Sequence, residues 1–262
     1  MVEAAVATNL EGRGVVVTGG NGGIGLGLAK GCAAAGAAVC IWGRNTEKLE
    51  VARIELESTG AEVHAQQVDV SSETQVDAAM AEAQRRLGRL DTVFANAGIG
   101  AVPKPFIDQT AQEWHALQAI NVDGAFFTLR AAARVLVAQG TGGSLVGVSS
   151  TSAIHGAPMA QSYAASKIAV LAIMRGLAVE LARFGIRCNS IIPGWTETEM
   201  TENARAFDTF LAATTNGPRS AVGVYRTISL RSARSWPIRP RPSTPATRSW
   251  STVGIPVSRR TP

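Results

Sequence analysis

The sequence has little that would anchor it, cross-link it or send it out of the cell. It contains no run of about 18 uninterrupted apolar residues, which removes an obvious membrane-spanning helix. The N-terminal stretch MVEAAVATNLEGRG lacks the basic start and apolar stretch of a signal peptide. The expected location is therefore the cytoplasm, with no membrane partner. Cysteine is scarce: Cys32, Cys40 and Cys188 are three, an odd number, and none lies in C-x-x-C. They read as small core residues, so neither a disulfide nor a metal site is expected. Acidic residues are missing altogether from 217–262, where nine arginines accumulate without a single lysine.

That last absence changes the meaning of the net charge of +5. Residues 1–216 carry 16 basic residues against all 20 acidic ones, a balance of −4. An acidic domain is followed by a basic tail, which also holds seven of the eleven prolines and eight serines. The tail shows no apolar periodicity of either kind and no recognisable nucleic-acid-binding module, so no nucleic-acid partner is expected. The division is 1–216 as one folded domain and 217–262 as an irregular Arg/Ser/Pro-rich tail. With 46% apolar and 17% charged residues over 262 positions, one domain can bury a sizeable core.

Short apolar runs alternate with Ala-rich helical patterns along residues 1–216. Strands are expected at 15–19, 37–43, 90–98, 143–150 and 186–194, and helices at 23–35, 46–58, 73–87, 111–138, 162–184 and 198–212. This alternation predicts an α/β fold: a doubly wound parallel sheet of the Rossmann kind, in a single domain with an atypical C-terminal tail. Ligands bind such sheets where strands end and helices begin.

The first strand exits into Thr18-Gly19-Gly20-Asn21-Gly22-Gly23-Ile24-Gly25. Glycines permit the tight turn and close backbone approach, and the helix N-terminus favours a pyrophosphate. The second strand ends in Gly43-Arg44-Asn45, where an NAD site would place an acid for the ribose hydroxyls. Arg44 can instead pair with a 2′-phosphate, so NADP(H) is favoured and NAD(H) remains open.

Tyr163 and Lys167 stand four residues apart on one helical pattern and share a face. A phenol is too weak an acid or base at neutral pH, and the Lys167 ammonium is expected to lower its pKa. Ser150, ending the strand GSLVGVSS, is placed to hold a substrate oxygen. His64 and His115 read as packing or surface residues and Trp42 as filler of the sheet. Glu197, Glu199 and Glu202 read as a solvated helix start. His155, Met159 and Trp195 flank the expected reaction centre and are candidates for the substrate mouth.

Taken in order, TGGNGGIG (18–25), Asp69-Val70, ANAG (95–98), Asn121, Ser150, YAASK (163–167) and PGWTET (193–198) resemble the short-chain dehydrogenase/reductase family over about residues 10–215. The resemblance implies an oxidoreductase exchanging hydride between a nicotinamide cofactor and a small ketone or secondary alcohol. It implies Tyr163 as general acid/base, Ser150 polarising the carbonyl, Lys167 lowering the tyrosine pKa and holding the ribose, and Asn121 positioning a relay water. Gly19, Asn21, Gly22, Gly23, Ile24 and Gly25 would form the pyrophosphate turn. Asp69 and Val70 would meet the adenine. Asn96, Ala97 and Gly98 would line the cofactor, with Pro193, Gly194, Thr196 and Thr198 on the nicotinamide side. A homotetramer or dimer is implied where the C-terminus is intact. The alternative is a non-catalytic dinucleotide-binding protein, or an enzyme disabled by its altered C-terminus.

Beyond 216 the resemblance stops, yet a shifted reading frame restores it. Joining the third base of each codon to the first two of the next permits Arg-Trp-Gly-Val-Pro-Asp-Asp-Leu across 221–229 and Val-Asp-Gly-Gly-Tyr across 250–255. Both are family signatures missing from the tail as written. The tail is therefore expected to be a frame-shifted segment foreign to the fold.

Overall fold

The structure, a computed structural model, describes residues 9–196 together with 198 and 199. The expected helix at 198–212 falls almost wholly outside the described residues, and the tail at 217–262 does so entirely.

Among the described residues six parallel strands form one sheet in the order β3-β2-β1-β4-β5-β6. They are β1 (Gly14–Thr18), β2 (Ala38–Gly43), β3 (Val63–Gln67), β4 (Thr92–Ala95), β5 (Gly143–Val148) and β6 (Ile186–Ile191). Both faces are covered, which is why the central strands read as continuous apolar runs. On one face Val15, Val17, Val39 and Ile41 pack under α1 (Gly23–Ala33) and α2 (Thr46–Glu57). On the other, Val16, Cys40, Trp42 and Leu145 pack under α3 (Glu73–Leu87), α5 (Gly124–Gln139) and α6 (Gln161–Glu180). Successive strand residues thus serve opposite cores, as the pleat requires.

Strand order reverses between β1 and β4, so the crevice outside their carboxyl ends is the place for a ligand. The segments expected as strand at 96–98, 149–150 and 192–194 have left the sheet, and Ala97 and Gly98 line that crevice. β3 was not expected from the sequence. Its VHAQQ offers only Val63 and Ala65 to the core beside α2, because it sits at the sheet edge.

A single helix expected at 111–138 is in fact two. α4 (Ala111–Gln118) opens with a capping box, Thr110 accepting from Glu113 N–H while the Glu113 carboxylate accepts from Thr110 N–H. A π-helical turn at Ala119–Asp123 then separates it from α5. Within it Asn121 is buried, its side chain bonded to the Ile99 backbone.

Cys32 and Cys40 are buried, and burial pushes both thiols up to about 12; Cys188 is half-buried and pushed up to about 11. All three are free, as expected of small packing residues. Among the described residues α6 alone has the length and composition to cross a membrane. It packs Val170 and Met174 into the core against β5 and β6.

Candidate active site

The turn after β1 is built around close backbone approaches. Gly19 adopts φ +63°, a left-handed conformation that side chains disfavour. A Cβ on Gly25 would lie 2.1 Å from the Gly19 carbonyl oxygen, so only glycine lets α1 start this near the strand. A Cβ on Gly22, the N-cap of α1, would meet nothing within 4 Å, leaving room above the helix end. That end has no side-chain cap and no acid in its first turn. Its free N–H groups and dipole fit a pyrophosphate.

Thr18 and Asn96 lock this turn to the exit of β4. Thr18 Oγ1 accepts from Asn96 N–H and Ala97 N–H at 2.9 Å each, and Asn96 Nδ2 donates to the Thr18 carbonyl at 2.9 Å. Asn96 thereby holds the scaffold, while Ala97 and Gly98 face the cleft.

The cleft has a volume of about 480 Å³, and Gly19, Asn21, Arg44, Asp69, Val70, Ala97 and Gly98 all line it. Gly43 brings the end of β2 close to the turn after β1: a Cβ there would stand 2.7 Å from the Asn21 side chain. Arg44 follows, its carbonyl fixed by Gln67 Nε2 at 3.0 Å. The Asp69 carboxyl is held below its ordinary range by the Ser71 hydroxyl and N–H, helped by the Arg44 charge. The donors and charges of these residues suit the polar adenosine end of a nicotinamide dinucleotide.

At the other end of the cleft, a Cβ on Gly98 would lie 3.1 Å from Asn121 Oδ1 and 3.3 Å from Lys167 Nζ. The chemistry-bearing residues therefore begin where the cleft ends. Lys167 is buried on α6 and donates from Nζ to the Val148 carbonyl at 3.0 Å. Asn121 Nδ2 donates to the Ile99 carbonyl at 2.9 Å and to Ser166 Oγ at 3.0 Å, while its Oδ1 accepts from Ile99 N–H at 2.8 Å. Ser150 Oγ accepts from Ser152 N–H at 3.2 Å, which leaves the hydroxyl proton available.

Residues 13–209 match the profile of the short chain dehydrogenase family. The chain belongs to that family. Among its relatives, the 3beta-hydroxysteroid dehydrogenase of Mediterraneibacter gnavus is 35% identical over 192 residues, 73% of this chain and 69% of that protein. The levodione reductase of Leifsonia aquatica is 37% identical over 199 residues, 75% of this chain and 74% of that one. Among solved structures, a gluconate 5-dehydrogenase from Burkholderia cenocepacia in complex with NADP and tartrate superposes with a TM-score of 0.75 at 35% identity, covering 80% of this chain and 82% of that one. This short chain dehydrogenase is accordingly an NAD(P)-dependent oxidoreductase acting on CH–OH groups and their carbonyl counterparts.

Within this short chain dehydrogenase the tyrosine differs from expectation. Burial raises the Tyr163 phenol above its ordinary pKa, and the Ser150 hydroxyl only partly offsets this. Lys167 Nζ lies 5.5 Å from the centre of the Tyr163 ring. Burial pushes Lys167 itself down to about 8. Desolvation is thus the leading influence on both groups.

Pro193 is drawn to the site by Thr151 N–H, which donates to its carbonyl at 2.9 Å. Thr196, Gly194 and Thr198 follow on the same segment, and a Cβ on Gly23 would come within 3.1 Å of Thr198 Cγ2. His155 and Met159 are exposed on the connection between Ser150 and α6, and Trp195 is half-buried. None of these three lines the cleft that holds Arg44 and Gly98. Lys48, Val68, Ile99, Gly100 and Ile120 also line it and carry no sequence signal, and Glu199, expected as part of a solvated helix start, lines it too and pairs with Lys48. Their contact spans 151 positions and leaves no local pattern.

Proposed function

We propose that this protein reduces a ketone, or oxidises the corresponding secondary alcohol, with NADP(H) in preference to NAD(H). One observation carries the chemistry: Ser150, Tyr163 and Lys167 converge at the Gly98 end of a cleft whose other end presents Arg44 where an acid would be. The bound nicotinamide supplies or accepts the hydride. Everything else falls to the chain's own side chains.

In the reducing direction Tyr163 gives its phenolic proton to the substrate oxygen. Its raised pKa keeps that proton in place at neutral pH. Ser150 donates from its hydroxyl to the same oxygen, its own lone pair being occupied by Ser152 N–H. Lys167, when protonated, stabilises the phenolate that remains. Asn121 fixes the Ile99 backbone and keeps the Gly98 turn against Lys167. In oxidation the same groups run backwards, and the phenolate takes the alcohol proton.

A homodimer or homotetramer belongs to this reading, since Trp114, Phe126, Ile168 and Val179 stay exposed on α4, α5 and α6. Light scattering measures it.

The deciding experiment is loss of reduced-nicotinamide absorbance with NADPH and with NADH against ketosteroid, cyclic diketone and keto-sugar acid substrates, the classes suggested by the named relatives. Tyr163→Phe should lower kcat by at least about a hundredfold and leave NADPH affinity within about twofold. NADPH binding without turnover of any carbonyl would instead support a nucleotide-binding protein without chemistry. Retention of activity in Tyr163→Phe within about tenfold would refute the assigned proton donor.

A further inference from the structure

Lys48 and Glu199 meet across the cleft. Lys48 Nζ donates to both carboxylate oxygens of Glu199, at 2.7 and 2.6 Å. Lys48 lies in the first turn of α2, where Asn45 Oδ1 accepts from its backbone N–H at 2.8 Å. That places it one helical turn beyond Arg44, on the same cleft wall. Glu199 belongs to the segment that leaves β6 and passes over the pyrophosphate turn, where Thr198 approaches Gly23. The ion pair therefore fastens that segment to the adenosine side of the cleft.

With side chains 50% and 76% exposed, such a pair adds little to stability and exchanges readily for a better partner. A phosphate dianion is a better partner, having more charge and more acceptor oxygens than a carboxylate. Arg44, Asn45 and Lys48 line one side of the cleft, and Glu199 is the acid that reaches Lys48 from the other.

We infer that Lys48 is a second cation for the cofactor's 2′-phosphate and that Glu199 competes with the phosphate for it, so that this pair tunes the preference for NADP(H) over NAD(H). The inference rests on Arg44 serving as the first cation. With NAD(H), Lys48 stays with Glu199 and the segment stays fastened. With NADP(H), Lys48 turns to the phosphate and the segment is released. The two residues must then act with opposite sign: removing the Lys48 charge costs phosphate affinity, and removing the Glu199 charge frees the lysine and relieves repulsion.

Fluorescence titration of the full chain with NADPH and with NADH tests this, in wild type and in Lys48→Met, Glu199→Gln and Arg44→Ala. Lys48→Met should weaken NADPH about tenfold while NADH stays within about twofold, the loss expected of one charge-assisted contact. Glu199→Gln should tighten NADPH several-fold and speed NADH dissociation in stopped flow. If Arg44→Ala lowers the NADPH-to-NADH ratio and Lys48→Met does not, the role of Lys48 alone is overturned. Weaker NADPH binding in Glu199→Gln overturns the competition. An unchanged ratio in Arg44→Ala overturns the phosphate subsite itself, and this inference with it.

Discussion

Asn121 Nδ2 donates to Ser166 Oγ at 3.0 Å, joining the π-helical turn between α4 and α5 to the helix that carries Tyr163 and Lys167. Ser166 Oγ in turn donates to the Tyr163 carbonyl at 2.7 Å. One buried amide thus ties the Ile99 backbone, the π-turn and the first turn of α6 together. Asn121→Ala would leave both Ile99 backbone groups without their side-chain partner. We expect a loss of about 1–3 kcal/mol, read from the urea midpoint, and a fall in kcat larger than the change in NADPH affinity. A variant of wild-type stability and turnover would show that the amide positions nothing.

Lys167 makes stability depend on alkaline pH in an unusual direction. Its folded pKa of about 8 lies below the ordinary lysine value of roughly 10.4. Between these two values the unfolded chain holds the proton that the folded chain has released. Stability from this group therefore rises with pH across that window, by about 3 kcal/mol in all, and below pH 8 the full penalty of the buried charge applies. Lys167→Met should lack the rise, so the difference between its unfolding curve and the wild-type curve should shrink or reverse as pH increases. Parallel curves from pH 7 to 10 would contradict a depressed lysine.

Two glycines of α1 form an internal control. Gly25→Ala pushes a methyl to 2.1 Å from a backbone oxygen, so the pyrophosphate turn must open. Gly27→Ala places the same methyl where nothing lies within 4 Å. The first should weaken NADPH by at least about tenfold and lower Tm, one power of ten being about 1.4 kcal/mol. The second should raise stability by roughly 0.5–1 kcal/mol through helix propensity and leave affinity alone. Equal effects from the two would mean that close approach at Gly25 does not shape the turn.

The tail calls for a nucleotide-level test. Among the described residues β6 pairs with β5 alone, which leaves its outer edge open in a sheet of parallel strands. An Arg/Ser/Pro segment suits that edge poorly, since proline lacks the ladder donor. We expect the coding sequence around codons 212 to 224 to reveal a one-base shift. Restoring the frame should raise Tm and turnover. Confirmation of the present frame, with no gain on changing it, would retire the idea.

What could be read from the sequence was whatever local chemistry demanded. The glycine turn at 18–25 was legible because left-handed backbone and close approach admit few residues, and Tyr163 with Lys167 because four-residue spacing on a helix places two side chains on one face. β3 was not legible: an edge strand needs few apolar residues, and His64, Gln66 and Gln67 hide its alternation. The break at 119–123 was hidden because an apolar pattern runs across it, with Asn121 as the lone sign. Desolvation of Tyr163 and Lys167 was equally invisible, for burial belongs to the packed whole and the motif shows only proximity.

The wide turn at Ala119–Asp123 also bears on how this chain can change length. A π-turn is in effect an α-helix with one residue too many, and its excess is absorbed by a bulge. Deleting one of those five residues would return a regular helix without turning the residues after it out of phase, because the bulge already absorbs the extra position. Leu129, Ala132 and Leu136 would keep their places in the core, whereas the widened backbone that carries Asn121 to Ile99 would be gone. A one-residue shortening at this turn should therefore spare the packing of α5 and cost the link between the Ile99 backbone and α6.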